Sequence, residues 1–278
     1  MKTRLVGLDS LRGIAALSLV AFHVQGIPVL KVPQGMAIII SHFGSGVPLF
    51  YAISAFSLML GYEARLLEVD GLSHFYIRRF FRIIPLFYTM LCFWLIVRAF
   101  YFHASTSFSD IALNTSCLFG LLSQSHEGLV WASWSIGVEW IFYIFFPILI
   151  LMASTLMGAT VLFIASIAIS VASMTNLEAL SSLSPSFGYM AFSTQIVFFT
   201  GGILAFKLGK KVLLKNPSYE YKKWLPTLLV LTAAVYLAFL WNSPLGLWVA
   251  NKHLGTQSIR LLSKLIMRPP YCRKQRLS

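Results

Sequence analysis

Two residues near the amino terminus, Arg12 and His23, could combine anion binding with acid–base chemistry. They are 11 positions apart, close to three full turns of an α-helix, so both side chains would share one helix face about 16 Å apart along its axis. An arginine is a permanent cation that suits phosphate, and a histidine is a base near neutral pH. The alternative is structural, with Arg12 as a charged anchor at the helix end and His23 bonded to a neighbouring carbonyl.

A second candidate is Glu139, the single charged residue between 128 and 177. Ser135, Glu139 and Tyr143 follow one another at intervals of four, so on a helix they share a face. A carboxylate can hold an imidazole in one tautomer and stabilise its protonated form. We therefore predict that Glu139 orients His23, with Ser135 and Tyr143 in support. A structural Glu–His pair and a buried, protonated glutamate remain alternatives.

A basic cluster with Arg79 and Arg82 comes just before the third long apolar run. On a helix these two residues are i, i+3 neighbours, and a pair of guanidinium forks suits phosphate groups. Arg12 approaches from the same side of the membrane in the topology below, which favours one shared anion site. The alternative is a basic cluster that only anchors the helix at the membrane surface.

Small residues mark the second apolar run. Gly46, Ser54 and Ala55 permit close helix contact, so packing is the favoured interpretation. Ser54 is nevertheless included as a supporting residue of the candidate site.

Other reactive residue types show no pattern typical of a site. The three cysteines, at 92, 117 and 272, match neither a disulfide framework nor a zinc site. The five remaining histidines have no charged partner at a suggestive spacing, and no nucleophile elbow, P-loop or H-E-x-x-H sequence occurs. We therefore predict no metal ion and no bound cofactor.

The whole composition indicates what must position these residues. The 278-residue chain is 58% hydrophobic and 11% charged, whereas a soluble domain is about 45–50% apolar and about 25% charged. This excludes a soluble enzyme, a disordered chain and a nucleic-acid-binding domain. The net charge of +13 comes from Lys and Arg in short clusters between apolar runs, as in the cytoplasmic loops of membrane proteins.

Seven apolar segments are long enough to cross a bilayer, which predicts an all-α, polytopic membrane protein. They are about 11–27, 46–62, 83–102, 134–152, 157–173, 191–208 and 225–241. The run 128–177 is too long for one crossing and should fold back near Ser154, and segment 32–43 enters the membrane partway. Asp9 and Arg12 interrupt the approach to the first apolar stretch, no A-x-A-like site follows and more spans come later, so we do not expect a cleaved signal peptide.

The distribution of Lys and Arg predicts the orientation. The amino terminus and the loops 63–82 and 207–223 are basic, whereas the alternate loops are nearly bare, so the amino terminus should be cytoplasmic. Seven crossings would put the basic stretch 252–278 outside, although such a tail prefers the cytoplasm.

Several short motifs occur in an order that is typical of one family. They are Leu8-Asp9-Ser10-Leu11-Arg12-Gly13-Ile14-Ala15-Ala16 followed by His23; Gly46-Val47-Pro48-Leu49-Phe50 with Ser54 and Phe56; Arg79, Arg82, Ile83, Pro85 and Tyr88; Trp134-Ser135 with Glu139, Phe142 and Tyr143; and, more weakly, Phe198-Phe199 with Gly201-Gly202 and Ala205. In these motifs the sequence resembles the acyltransferase-3 family of integral-membrane O-acyltransferases, most clearly over residues 5–208.

The resemblance implies transfer of an acyl group, usually acetyl, from cytoplasmic acyl-CoA to a hydroxyl of a sugar or lipid-linked glycan at the bacterial inner membrane. The residue types agree, because a thioester is already activated whereas a sugar hydroxyl needs a base near neutral pH. We predict His23 as that base, Glu139 as its orienting partner, and a clamp for the CoA phosphates. The clamp consists of Arg12, Arg79 and Arg82. Whether His23 itself becomes acylated stays open.

Two departures from the family pattern matter. Ala55 stands where the family usually has glycine, and about seven spans are seen where the family usually has about ten. We therefore expect a truncated or atypical chain, with a membrane acyltransferase domain over 1–251 and an atypical basic tail over 252–278. The alternatives are an inactive remnant, or a secondary transporter of an anionic solute that uses the intramembrane Arg, His and Glu.

Overall fold

The structure, a computed structural model, describes residues 6–25, 42–123, 125–180 and 186–215. These residues form helices and no β-strand. The helices are α1 (Val6–Gln25), α2 (Gly46–Tyr62), α3 (Gly71–Phe100), α4 (Phe108–Ser116), α5 (Trp134–Met152), α6 (Leu156–Leu180), α7 (Phe187–Met190) and α8 (Phe192–Lys215), with 3-10 turns at His42–Ser45 and Phe119–Leu121.

Six segments of the described chain are long and apolar enough to cross a membrane. They lie in α1, α2, α3, α5 and α6 and in a segment that runs from α7 into α8, so the predicted all-α, multi-pass fold class is confirmed. The reversal predicted near Ser154 is also confirmed, because α5 ends at Met152 and α6 begins at Leu156. The predicted span 225–241 and the segment 32–43 lie outside the described residues.

The third span begins earlier than predicted. We expected a loop over 63–82 and a helix from 83, but α3 starts at Gly71 and carries the arginine cluster within its first half. The prediction stopped at the charges because it followed hydropathy alone. Arginine side chains can run along a helix to reach polar surroundings, and the first turns of α3 are held by Phe75, which is fully buried.

A tight turn joins α2 to α3. Asp70 has a left-handed backbone with φ of 62°, and a Cβ on Gly71 would come within 2.1 Å of the Arg65 carbonyl oxygen. Only a glycine fits so close an approach. The turn therefore reverses the chain and sets the end of α2 beside the start of α3.

The core lies where α2 packs against α5 and α8. Aromatic rings stack there in a column, with Phe199 4.4 Å from Tyr51 and 3.9 Å from Phe142 between ring centroids. Backbones also approach closely, since a Cβ on Gly202 would lie 2.2 Å from the Ala52 carbonyl oxygen. Small residues permit such contact between membrane helices, and the column fastens the helices that carry the polar residues below.

An ion cluster marks one end of the bundle. Lys207 of α8 donates to Glu63 Oε1 at 2.6 Å and to the Ser154 carbonyl at 2.7 Å, and Lys210 donates to Glu63 Oε2 at 2.5 Å. Burial raises the pKa of Glu63, but the hydrogen bonds and charges of the two lysines outweigh burial and lower it. We call this end, which also holds the start of α1, the N-terminal face, and the other end the opposite face.

Candidate active site

A cluster of oxygen groups lies between α2 and α5. Glu139 Oε1 accepts a hydrogen bond from Ser54 Oγ at 2.8 Å and another from the hydroxyl of Tyr143. The Ser54 and Tyr143 hydroxyls are themselves 3.4 Å apart. We call Ser54, Glu139 and Tyr143 the carboxylate cluster. Two hydroxyl donors on one carboxylate oxygen replace the water that a half-buried carboxylate loses, and they leave Oε2 for a further contact.

The predicted helix face of α5 is therefore present, but its members differ in what they do. Glu139 and Tyr143 contact each other, while the Ser135 hydroxyl turns back to the Ala132 carbonyl at 3.4 Å. The Ser135 carbonyl accepts from the Tyr51 hydroxyl at 3.2 Å. Ser54, which the sequence ranked as packing, donates directly to the carboxylate.

Arg79 lies against the carboxylate cluster. Its guanidinium carbon is 5.7 Å from the centre of the Tyr143 ring and 5.8 Å from that of Tyr62. A cation over an aromatic face is attracted by the ring quadrupole. Arg79 Nε is buried and has no hydrogen-bond partner within the part of the chain that the structure describes, so this arginine retains an unused donor.

Arg12 joins α1 to α2. Its two terminal nitrogens donate to Asp9 Oδ1 at 3.0 Å and to Ser57 Oγ at 2.6 Å. Ser57 follows Ser54 by three residues on α2, so Arg12 lies about one helical turn from the carboxylate cluster, toward the N-terminal face. Asp9 and Ser57 are both partly exposed.

Arg82 and Glu139 line one cavity of about 340 Å³. The cavity lies between α3 and the start of α5, and its other lining residues are mostly apolar. Arg82 is exposed, whereas Glu139 is half-buried with one oxygen held by the cluster. We call this space the Glu139 cavity.

His23 lines a second cavity, of about 350 Å³, together with Trp134 and Ser135. Its ring centroid is 5.2 Å from that of Trp131 and 5.5 Å from that of Phe22. We call this space the His23 cavity. Ser135, which lines this cavity, precedes Glu139, which lines the other one, by one turn of α5.

The structure thus brings the predicted residues into neighbouring spaces without joining the central pair. Among the described residues, no hydrogen bond or ion pair links His23 to Glu139. Trp131 stands beside the imidazole, whereas the carboxylate accepts from the two hydroxyls and lines the same cavity as Arg82. The Glu139–His23 pairing and the shared phosphate clamp stay predictions. No cluster of three or more His, Cys, Asp or Glu suited to a metal is found in the described ranges.

The loop before α5 holds a second polar group that sequence spacing did not reveal. His126 is buried, with Nε2 2.8 Å from Ser186 Oγ and Nδ1 2.9 Å from the Ser123 carbonyl oxygen. Ser186 Oγ also donates to Glu127 Oε1 at 2.8 Å, and burial lowers the pKa of His126. Sixty residues separate His126 from Ser186, so only the folded chain joins them. This contact fastens the loop that carries Trp131.

Comparisons with known proteins identify the family of this chain. A family model described as "Acyltransferase domain", Acyl_transf_3, matches residues 5–267. A protein of Acidianus two-tailed virus named "Putative acetyltransferase ORF330" is 27% identical over 142 residues, which are 51% of this chain and 40% of that protein. The aligned region therefore spans well under half of the viral protein. No solved structure matches the chain.

Proposed function

The chain belongs to the acyltransferase-3 family, and from that premise we propose a membrane-bound O-acyltransferase. It moves an acyl group, for which we propose acetyl, from acyl-CoA to a hydroxyl of a carbohydrate or lipid-linked glycan. One observation carries the proposal. Residues from four separate motifs, on α1, α2, α3 and α5, line or adjoin two neighbouring cavities.

The donor end of the site is the arginine group. Arg12 of α1 and Arg79 of α3 lie on the N-terminal side of the carboxylate cluster, and Arg82 of α3 lines the Glu139 cavity. A guanidinium binds phosphate through two parallel N–H donors, and Arg79 has a buried Nε without a partner among the described residues. The acyl-CoA phosphates bind here from the cytoplasm, and the thioester extends toward the Glu139 cavity. In this proposal the amino terminus is cytoplasmic and the protein lies in the inner membrane.

The acceptor end is the His23 cavity. A sugar hydroxyl enters beside the imidazole, which takes the hydroxyl proton as the oxygen attacks the thioester carbonyl. The new C–O bond forms, the C–S bond breaks, and the CoA thiolate receives the proton. If His23 itself carries the acyl group, the transfer takes two steps: the C–S bond breaks as the imidazole accepts the acyl group, and the sugar hydroxyl then displaces the imidazole. The same bonds are formed and broken overall.

Glu139 stabilises the imidazolium during this transfer. Ser54 and Tyr143 hold one carboxylate oxygen in place, so the negative charge keeps a fixed position about 11 Å from His23 along the helix axes. In a medium of low dielectric constant a fixed charge acts over that distance. Ser135 lies on the helix face between the two groups, and Tyr143 holds the carboxylate from one turn beyond Glu139.

The test uses the full chain, purified and placed in lipid nanodiscs. Radiolabelled acetyl-CoA is supplied with a glycolipid fraction from bacterial inner membranes, and released CoA and labelled glycolipid are measured. Label transfer that His23→Ala abolishes supports the proposal. Counterflow of an anionic solute without CoA release would instead support a transporter, and binding of neither CoA nor solute would support an inactive remnant.

A further inference from the structure

Two residues form a wall that both cavities share. Trp131 and Ala132 line the His23 cavity on one side and the Glu139 cavity on the other. The candidate base and the candidate carboxylate therefore line neighbouring cavities that meet at these two residues. An acyl group that passes from the Glu139 cavity to the His23 cavity passes Trp131 and Ala132.

The backbone of the wall is firmly held. Ala132 has a φ of 63°, a left-handed conformation that costs a residue with a Cβ about 1–2 kcal/mol. Hydrogen bonds fix the chain on both sides, because Ser133 N–H donates to the Val130 carbonyl at 3.1 Å and Leu129 N–H donates to Asn114 Oδ1 at 2.8 Å. A strained conformation held by its surroundings is typical of functional sites.

The Trp131 ring is held much less than its backbone. The residue is 66% exposed, and its ring contact is with His23, at 5.2 Å between centroids. An indole with that freedom can turn about its side-chain bonds while the loop stays in place. The ring lies beside the half-buried imidazole in the observed position and would expose more of it after rotation.

We propose that Trp131 is a positioning residue that separates the acyl donor from water and admits the acceptor hydroxyl. The proposal rests on the acyltransferase function. A histidine that can activate a sugar hydroxyl can activate water equally well, and each cavity is large enough for several waters. Attack by water would form a C–O bond, break the C–S bond and pass a proton to the CoA thiolate, which yields the free acid and CoA. The indole beside His23 prevents that loss until an acceptor displaces it.

The experiment measures CoA release from acetyl-CoA alone, without acceptor, by full-length protein in nanodiscs. Trp131→Ala removes the wall and joins the two cavities, so acceptor-independent release should rise by about tenfold, a barrier about 1.4 kcal/mol lower. Trp131→Phe keeps a ring at the wall and should stay near wild type. Phe108→Ala is the matched control, because Phe108 is 85% exposed and lines neither cavity.

Two further measurements separate this role from a loss of folding. The thermal midpoint of each variant and its affinity for acetyl-CoA show whether Trp131→Ala is folded and still binds the donor. Adding His23→Ala to Trp131→Ala should abolish the extra hydrolysis, because the exposed base would be gone. An intact Trp131→Ala protein that releases CoA no faster than wild type overturns the role proposed for Trp131, even if the wild type transfers acetyl groups. A wild type that neither binds nor turns over acetyl-CoA overturns the proposed function, and with it the role proposed for Trp131.

Discussion

Replacing Glu139 by glutamine removes the charge of the carboxylate cluster and almost nothing else. The amide oxygen can still accept from Ser54 and Tyr143, which now donate to Glu139 Oε1. The shape of the Glu139 cavity is nearly unchanged. The variant therefore tests the electrostatic role of the carboxylate with little disturbance of packing.

The expected loss follows from the separation between the two charges. Arg12 lies about one helical turn from the carboxylate cluster and about 16 Å from His23 along α1, so the carboxylate and the imidazole are about 11 Å apart along the helix axes. At an effective dielectric constant of about 20, a carboxylate at about 11 Å stabilises an imidazolium by about 1.5 kcal/mol. Losing that stabilisation lowers kcat by about 12-fold. Two charge-assisted hydrogen bonds also become neutral, which costs about 1 kcal/mol of stability each.

The assay compares kcat for acetyl transfer with the thermal midpoint of the same preparation. Glu139→Gln should reduce both. Tyr143→Phe and Ser54→Ala are matched controls that remove one donor but keep the charge, so they should lower the midpoint with a smaller effect on kcat. The His23→Ala, Glu139→Gln double variant should be hardly worse than His23→Ala alone, since the two groups act as a unit.

Three results would refute this reasoning. A Glu139→Gln protein with normal kcat and an unchanged pH profile would show that the charge does not act on the imidazolium. Multiplicative losses in the double variant would show that His23 and Glu139 have independent roles. A kcat for Tyr143→Phe as low as that of Glu139→Gln would assign the effect to the hydrogen-bond geometry instead.

Three other predictions concern single groups. His23→Ala should abolish transfer with near-normal expression, because it removes polarity from a span; substantial transfer at saturating acetyl-CoA would exclude His23 as the base. Arg79→Ala and Arg82→Ala should each weaken CoA binding roughly 10- to 150-fold and leave the chemical step unchanged, because a charge-assisted contact to phosphate is worth about 1.5–3 kcal/mol. The exposed Arg78→Ala is the control, and dissociation constants for CoA equal to that of the wild type would show that these arginines only anchor the helix at the membrane. The lowered pKa of Glu63 means that its ion cluster stabilises the fold at pH values above 4.5, the ordinary pKa, and that this stabilisation is lost as the pH falls toward the pKa of the folded protein. Thermal midpoints measured in detergent as a function of pH should show this loss in the wild type and not in Glu63→Gln.

The sequence alone determined the features that depend on neighbouring residues. The free energy of moving a helix into the bilayer is close to a sum over its own residues, so the spans could be read from hydropathy. The α-helix repeat also placed Glu139 and Tyr143 on one face, where the structure joins them. The early start of α3 was missed for the same reason. A sum of hydropathies excludes the arginines before residue 83, although the helix continues through them to Gly71.

The tertiary structure decided which distant residues meet. Ser54 is 85 positions from Glu139 and His126 is 60 from Ser186, and such contacts depend on how helices cross and how loops fold back. The same geometry placed Trp131 and the left-handed Ala132 between His23 and Glu139, in a loop whose sequence carries no periodic signal. Periodicity specifies a face of one helix, whereas a cavity is enclosed by several elements whose relative positions arise only from packing.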